Sequence, residues 1–358
     1  MAKSTGNSSI KDRVNHMVDR TVQRSRKGFD YIRASKASVG LTPKDLIYDK
    51  GTLQLYHYRP IADEIYRIPI IIVMATTNKG YLFDLLPGQS MVEFLLAHGF
   101  DVYMIDWNAP TSKEKHLGIA DYTQDFIPSC IEKVQEDTGE TDVSILGYCM
   151  GGVLSVMYAA THADGPLKNL VCLTTPVNWH EMGLFSQWND ERYFDVDRLV
   201  DTLGIIPGDF IGSSFEMLRP AQKIASRVRV WENMWNDEYV KSYRAFDRWG
   251  SEYVPLAGEY FRETTKDLMW HNKLFRGELE IAGKKADLAN ITIPIMHTIA
   301  QHDHIVPPSA SKPLLDLVSS EDKEELVLKG GHVSLIAGPN AVKRMWPSVN
   351  TWLGERSS

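Results

Sequence analysis

The sequence predicts an α/β fold with a mostly parallel central sheet covered by helices, and three observations carry that prediction. Strand-like runs alternate with helical patterns along much of the 358-residue chain. A glycine-rich turn, Gly147-Tyr148-Cys149-Met150-Gly151-Gly152, joins the apolar run Val143-Ser144-Ile145-Leu146 to the helix-like stretch Val153-Leu154-Ser155-Val156-Met157-Tyr158. An aspartate and a histidine follow strand-like runs near the C-terminus.

Taken in order, the body begins near Leu41-Thr42-Pro43-Lys44, and strands are predicted over residues 53–58, 70–74, 100–105, 143–146, 170–174, 295–299 and 325–328. Between about 177 and 285 the rhythm breaks. Six of the nine tryptophans (Trp179, Trp188, Trp231, Trp235, Trp249 and Trp270) fall in this helical and irregular stretch, which holds no convincing buried strand. It is read as a cap inserted between the fifth and sixth predicted strands, with the core on residues 41–176 and 286–358. Aromatic density of this kind is first of all packing material, so no single aromatic is given a role. A cap over a reactive group would restrict water.

A strand, a sharp turn and a helix around a central nucleophile form the nucleophile elbow of the α/β-hydrolase fold, here with Cys149 where most members carry serine. Small flanking residues let the strained turn close. The helix that starts there aims its first N–H groups at the sulfur, which favours negative charge on it and on an oxyanion beside it. That fold supplies nucleophile, acid and histidine in this order along the chain. Gln301-His302-Asp303-His304 follows the largely apolar run 293–300, and Lys329-Gly330-Gly331-His332 follows 325–328, so Asp303 and His332 are expected to complete the triad. By fold analogy the oxyanion would be held by the N–H of Met150 and by one from the loop after residues 70–74, around Ala75 and Thr76.

The remaining histidines fit other readings. His302 and His304 flank Asp303, but no remote third ligand in a recognisable spacing accompanies them, and no metal site is expected. His297 lies within a strand and reads as a core residue; His98, His162 and His180 stand in no motif. Lys329-Gly330-Gly331 lacks the pattern of a phosphate-binding loop.

Composition agrees with an enzyme working inside the cell. A hydrophobic content of 43% supports a sizeable core, and three cysteines (Cys130, Cys149 and Cys172) do not make a disulfide framework. The N-terminus leads into charged residues, not an apolar signal core, and no apolar stretch is long enough to span a membrane, so a cytoplasmic location is expected. A net charge of −7 gives no support to nucleic-acid binding. Residues 1–40 nevertheless hold nine Lys/Arg against three Asp/Glu. Within this basic arm Ile10, Val14, Met17, Val18 and Val22 recur at helical spacing. The preferred reading is a surface helix covering the core; the other is a docking helix for a partner subunit or an apolar particle.

With these motifs in place, the chain resembles the polyhydroxyalkanoate synthase catalytic subunits of the short, two-component type (class III or class IV) over residues 41–353. The resemblance rests on Gly147-Tyr148-Cys149-Met150-Gly151-Gly152, on Asp101-Val102-Tyr103-Met104-Ile105-Asp106-Trp107, and on Asn78 with Tyr81 and Asp84. Ala257-Gly258-Glu259, Asp303-His304-Ile305 and Gly331-His332 complete it. Tyr148-Cys149-Met150 and Val318-Ser319-Ser320-Glu321-Asp322-Lys323 stand nearest class IV.

The resemblance implies an acyltransferase that polymerises (R)-3-hydroxyacyl-CoA, of short acyl chain, into polyhydroxyalkanoate on the enzyme with release of CoA. It also implies a homo-oligomer at the surface of polyester granules, a second, smaller synthase subunit and no cofactor. Cys149 would be the nucleophile and His332 the base, while Asp303 would orient His332, help activate the 3-hydroxyl, or both. A thioesterase or polyester hydrolase would use the same triad. A non-catalytic granule-binding scaffold would keep the fold without turnover.

Overall fold

The computed structural model describes residues 10–33 and 35–357. Its main sheet has eight strands: β1 (Lys44–Lys50), β2 (Leu53–Tyr58), β3 (Ile70–Val73), β4 (Val102–Trp107), β5 (Val143–Tyr148), β6 (Leu167–Leu173), β7 (Ile295–Ala300) and β8 (Lys323–Leu328). They lie in the order β1-β2-β4-β3-β5-β6-β7-β8, with β1–β2 and β2–β4 antiparallel and every other pair parallel. Every residue of β3, β5 and β7 is buried, as an internal strand covered on both faces requires.

All seven strands read from the sequence are present, with ends displaced by up to three residues. The eighth, β1, was not predicted. Its residues, Lys-Asp-Leu-Ile-Tyr-Asp-Lys, form a polar edge with no buried position, so the hydrophobic alternation that marks a strand is missing.

Two compact units divide the chain, one formed by residues up to Ser38 with Arg219–Arg248, the other by Val39–Leu218 with Trp249–Ser358. The first contains α1 (Ile10–Arg33). Within it the Arg20 guanidinium lies 4.7 Å from the centroid of the Trp235 ring, Lys27 pairs with Asp237 at 2.7 Å, and the Arg248 guanidinium donates to the Ala37 carbonyl. Of the apolar stripe expected on the arm, Val18 and Val22 are exposed. The side chains of Ile10, Val14 and Met17 lie outside the described residues.

The second unit contains the sheet, with α2 (Met91–Ala97), α3 (Ile127–Thr138) and α4 (Met150–Thr161). Between β6 and β7 it runs as short helices, among them Val196–Leu203, Gly208–Leu218 and Gly258–Glu263, and as two-residue ribbons. No helix among the described residues is long and apolar enough to cross a membrane.

One polar cluster ties the antiparallel edge to a covering helix. His57 on β2 places Nε2 2.8 Å from Asp101 and Nδ1 3.0 Å from Asp137 on α3, and its ring stacks on Tyr103 of β4 at 4.2 Å. The Tyr103 hydroxyl donates to Asp137 at 2.8 Å. Burial pulls the His57 pKa down, but the Asp101 hydrogen bond and the charges of Asp101, Asp137 and Asp45 raise it above its ordinary 6.5. The stability this pairing contributes is therefore complete below the unfolded value of 6.5 and is lost as pH rises through the raised folded value. His57→Gln is predicted to lower Tm more at about pH 6 than at about pH 9. Equal losses at both pH values in calorimetry would contradict the imidazolium clamp.

Candidate active site

At the C-terminal end of β5 the backbone turns sharply. Cys149 takes φ 53° and ψ −119°, a conformation costly for a residue with a Cβ, and α4 begins at the next residue. Two hydrogen bonds hold it there: Cys149 N–H donates to the Leu173 carbonyl at 2.9 Å, and Val153 N–H donates to the Cys149 carbonyl at 3.1 Å. The turn closes only because its neighbours lack side chains. A Cβ on Gly147 would sit 2.6 Å from Gly152 Cα, and one on Gly151 would sit 2.6 Å from the Met74 carbonyl oxygen. One on Gly152 would collide with the Thr175 hydroxyl.

The loops after β7 and β8 bring the other two predicted residues together. His332 Nδ1 is 2.7 Å from Asp303 Oδ2, and both side chains are buried. Asp303 Oδ1 accepts from the N–H groups of Ile305 and Val306, each at 2.9 Å. The carboxylate is thus fully occupied in holding one geometry. Nδ1 being committed, Nε2 is the nitrogen left for Cys149. Burial opposes a charge on His332; the Asp303 carboxylate and Cys149 outweigh it and push the imidazole up to about 10. Asp303 thus favours a proton on the ring.

The other cysteines differ. Cys130 and Cys172 are fully buried, and burial pushes both thiols up, that of Cys172 to about 12. Cys149 is partly exposed at the wall of a cavity of about 420 Å³. Met150 and Thr76 also line this cavity; Ala75 is buried and does not. The loop carrying Ala75 and Thr76 is fixed by three contacts: the Trp107 indole donates to the Met74 carbonyl at 2.9 Å, Val254 N–H donates to the Thr77 carbonyl at 2.8 Å, and Thr76 and Tyr260 hydroxyls meet at 3.4 Å. Met150 opens α4, where N–H groups have no intrahelical partner.

The far walls of the cavity come from the segment between β6 and β7, chiefly Trp179, Phe185, Trp188, Phe194, Phe210 and Phe261. The sequence reading gave none of these a role, and spacing alone could not have done so. They converge from separate short helices and turns.

Other predicted positions have structural settings. His297 is wholly buried in β7, and burial pushes it down to about 3, leaving a neutral core imidazole. Asp84 accepts from Thr42 N–H at 3.0 Å, from the Thr42 hydroxyl at 2.6 Å and from the Ser90 hydroxyl at 2.8 Å. Tyr81 donates to Glu252 at 2.8 Å, and Asn78 bridges to Tyr253. Gly258 N–H donates to the Gly204 carbonyl at 3.0 Å. Among the described residues no group of three or more His, Cys, Asp or Glu is arranged to hold a metal ion.

Asp303→Asn keeps the shape of the acid and removes the charge that outweighs burial at His332. In an NMR titration the His332 ring is predicted to lose its proton roughly one to three pH units lower than in the parent. An unchanged titration would show that Asp303 is not what holds the imidazolium.

Comparison with known proteins gives the family. The profile for the alpha/beta hydrolase fold matches residues 80–339, and that for the N-terminus of poly-beta-hydroxybutyrate polymerase (PhaC) matches residues 9–95. Poly(3-hydroxyalkanoate) polymerase subunit PhaC of Allochromatium vinosum is 36% identical over 332 residues, covering 91% of this chain and 92% of that one. The Thiocystis violacea subunit is 35% identical over 344 residues, covering 95% and 96%, and that of Haloferax mediterranei is 36% identical over 343 residues, covering 95% and 69%. Among solved structures, a monoacylglycerol lipase of Paleococcus ferrophilus superposes with a TM-score of 0.55 at 18% identity, covering 84% of this chain and 99% of the lipase. Est1E of Butyrivibrio proteoclasticus superposes with a TM-score of 0.54 at 13% identity, covering 87% and 98%. These two likenesses are of fold alone. The chain has the α/β-hydrolase fold and belongs to the poly(3-hydroxyalkanoate) polymerase (PhaC) family of acyltransferases.

Proposed function

We propose that this chain polymerises (R)-3-hydroxyacyl-CoA, of short acyl chain, into polyhydroxyalkanoate through a thioester on Cys149. The observation that carries the reading is the geometry of Cys149, strained at the head of α4, near a His332 that Asp303 orients, and facing an apolar cavity of about 420 Å³. As the Cys149 sulfur attacks the thioester carbonyl its proton passes to His332 Nε2, and the oxyanion is met by the Met150 N–H and by an N–H of the loop at Ala75 and Thr76. Collapse expels the CoA thiolate, which takes the proton from His332 Nε2. One thioester has replaced another at little free-energy cost.

The now neutral His332 can accept the proton of a 3-hydroxyl as that oxygen attacks the thioester carbonyl of another acyl unit. An ester forms, a thioester breaks, and the departing thiolate recovers the proton. Asp303, with both oxygens engaged, serves this cycle as the orienting group of His332, which leaves hydroxyl activation to His332.

The segment 177–285 is proposed to act as a cap: aromatic side chains of its stretches 177–218 and 249–285 line the cavity and limit the water that would turn polymerisation into hydrolysis. A second, smaller subunit, a homo-oligomer and a position at the granule surface belong to the same proposal. The relatives from Allochromatium vinosum and Thiocystis violacea, whose names call them polymerase subunits, support the first of these.

The test is incubation with (R)-3-hydroxybutyryl-CoA, with and without a candidate partner subunit, following CoA release and the fate of the acyl group. Polymer is expected, and Cys149→Ala should reduce CoA release by on the order of 10⁴-fold or to background. Free 3-hydroxybutyrate as the product would make the chain a thioesterase. Turnover retained in Cys149→Ala would rule out Cys149 as the nucleophile.

A further inference from the structure

His332 sits on a loop that follows two glycines, and one hydrogen bond to Asp303 fixes only one corner of its ring. Something else must set the plane of the imidazole so that Nε2 stays turned toward Cys149. The ring lies against Tyr148, the residue before the nucleophile, with centroids 5.1 Å apart and planes at 37°. Tyr148 in turn meets Phe83 edge-on at 5.8 Å and 75°. All three side chains are buried.

Phe83 is itself fixed on both sides. Its N–H donates to the Gly80 carbonyl at 3.0 Å and its carbonyl accepts from Val92 N–H at 3.1 Å. Gly80 N–H donates to Asp106 at 2.9 Å, and the next residue, Asp84, is held by Thr42 and Ser90. A rigid segment remote from the triad in sequence therefore stands behind the ring that backs His332.

We infer that Phe83 and Tyr148 form an aromatic brace that positions His332 for proton exchange with Cys149. They are positioning residues, since neither faces the reacting atoms as donor or acceptor. The Tyr148 hydroxyl supports this division of labour. It is buried and has no hydrogen-bond partner among the described residues, so packing of the ring, not a polar tether, is what holds it. The brace also gives a purpose to the segment around Tyr81 and Asp84, whose side chains make contacts that stiffen the mount of Phe83.

The inference rests on the reading of Cys149 and His332 as a reacting pair, and its test separates the two. Iodoacetamide alkylation of Cys149 at neutral pH reports the pair without any polymerisation, and Cys130 and Cys172 are buried out of reach. If His332→Gln alkylates as fast as the parent, the pair itself fails, and the brace with it. If His332→Gln is slow, the brace is tested by Tyr148→Phe, Tyr148→Leu and Phe83→Leu, each followed for alkylation rate, kcat, KM and Tm. Tyr148→Phe should stay within about twofold of the parent, because only an unpartnered hydroxyl is lost. Tyr148→Leu should lose about 10- to 100-fold in alkylation rate and kcat with KM little changed, the scale of a small misplacement of a catalytic group. Phe83→Leu should lose in the same direction by less, and it carries the test if Tyr148→Leu does not fold. A Tyr148→Leu or Phe83→Leu protein with a lowered Tm but parental alkylation and kcat would overturn the brace. So would a Tyr148→Phe protein as impaired as Tyr148→Leu.

Discussion

Everything reactive in this molecule depends on holding Cys149 in a backbone conformation that its Cβ disfavours. A positive φ at a non-glycine residue costs on the order of 1–3 kcal/mol and persists only when the surroundings over-determine it. Here they do: the β5 ladder fixes one side, the first turn of α4 fixes the other, and Gly147, Gly151 and Gly152 let strand, helix and the loop after β3 approach to distances no side chain would allow. The strain lifts the sulfur out of the sheet and aims it at the cavity. Because Gly151 brings the end of β3 close to the start of α4, the proposed nucleophile and the proposed oxyanion donors share one mount.

Charge is arranged around that mount with the same economy. Two histidines illustrate how neighbours decide protonation at equal burial. His297 has no carboxylate beside it and burial drives it to about 3, whereas His332, equally enclosed, meets Asp303 and Cys149 and is driven to about 10. A buried charge is tolerable only when its partner is itself satisfied, and Asp303 meets that condition through two backbone N–H groups besides His332. In the acyl transfer proposed here, that pairing supports the proton His332 takes from the thiol and passes to the departing group.

Much of this was legible in the sequence because the signals are local. The elbow is contiguous, and its glycines by themselves announce a close approach of strand and helix. Strands β3, β5 and β7 read clearly because burial on both faces leaves nearly continuous apolar runs. Asp303 and His332, which the structure brings together, were read from chain order and from the strands that precede them. Strand β1 escaped because an exposed edge carries no hydrophobic pattern. The pairing of His57 with Asp101, 44 residues apart, has no local signature, and neither does the convergence of Phe185, Phe210 and Phe261 on one cavity. Contacts of that kind exist only once the sheet has set the distances between loops.

The proposed chemistry places a covalent intermediate at a single atom, and that claim can be examined directly. The enzyme would be mixed with isotopically labelled (R)-3-hydroxybutyryl-CoA, quenched in acid early in the reaction, digested and mapped by mass spectrometry. The mechanism predicts the hydroxyacyl label on the peptide containing Cys149, released by hydroxylamine as a thioester is. CoA release accompanied by label on another residue, or on none, would contradict it.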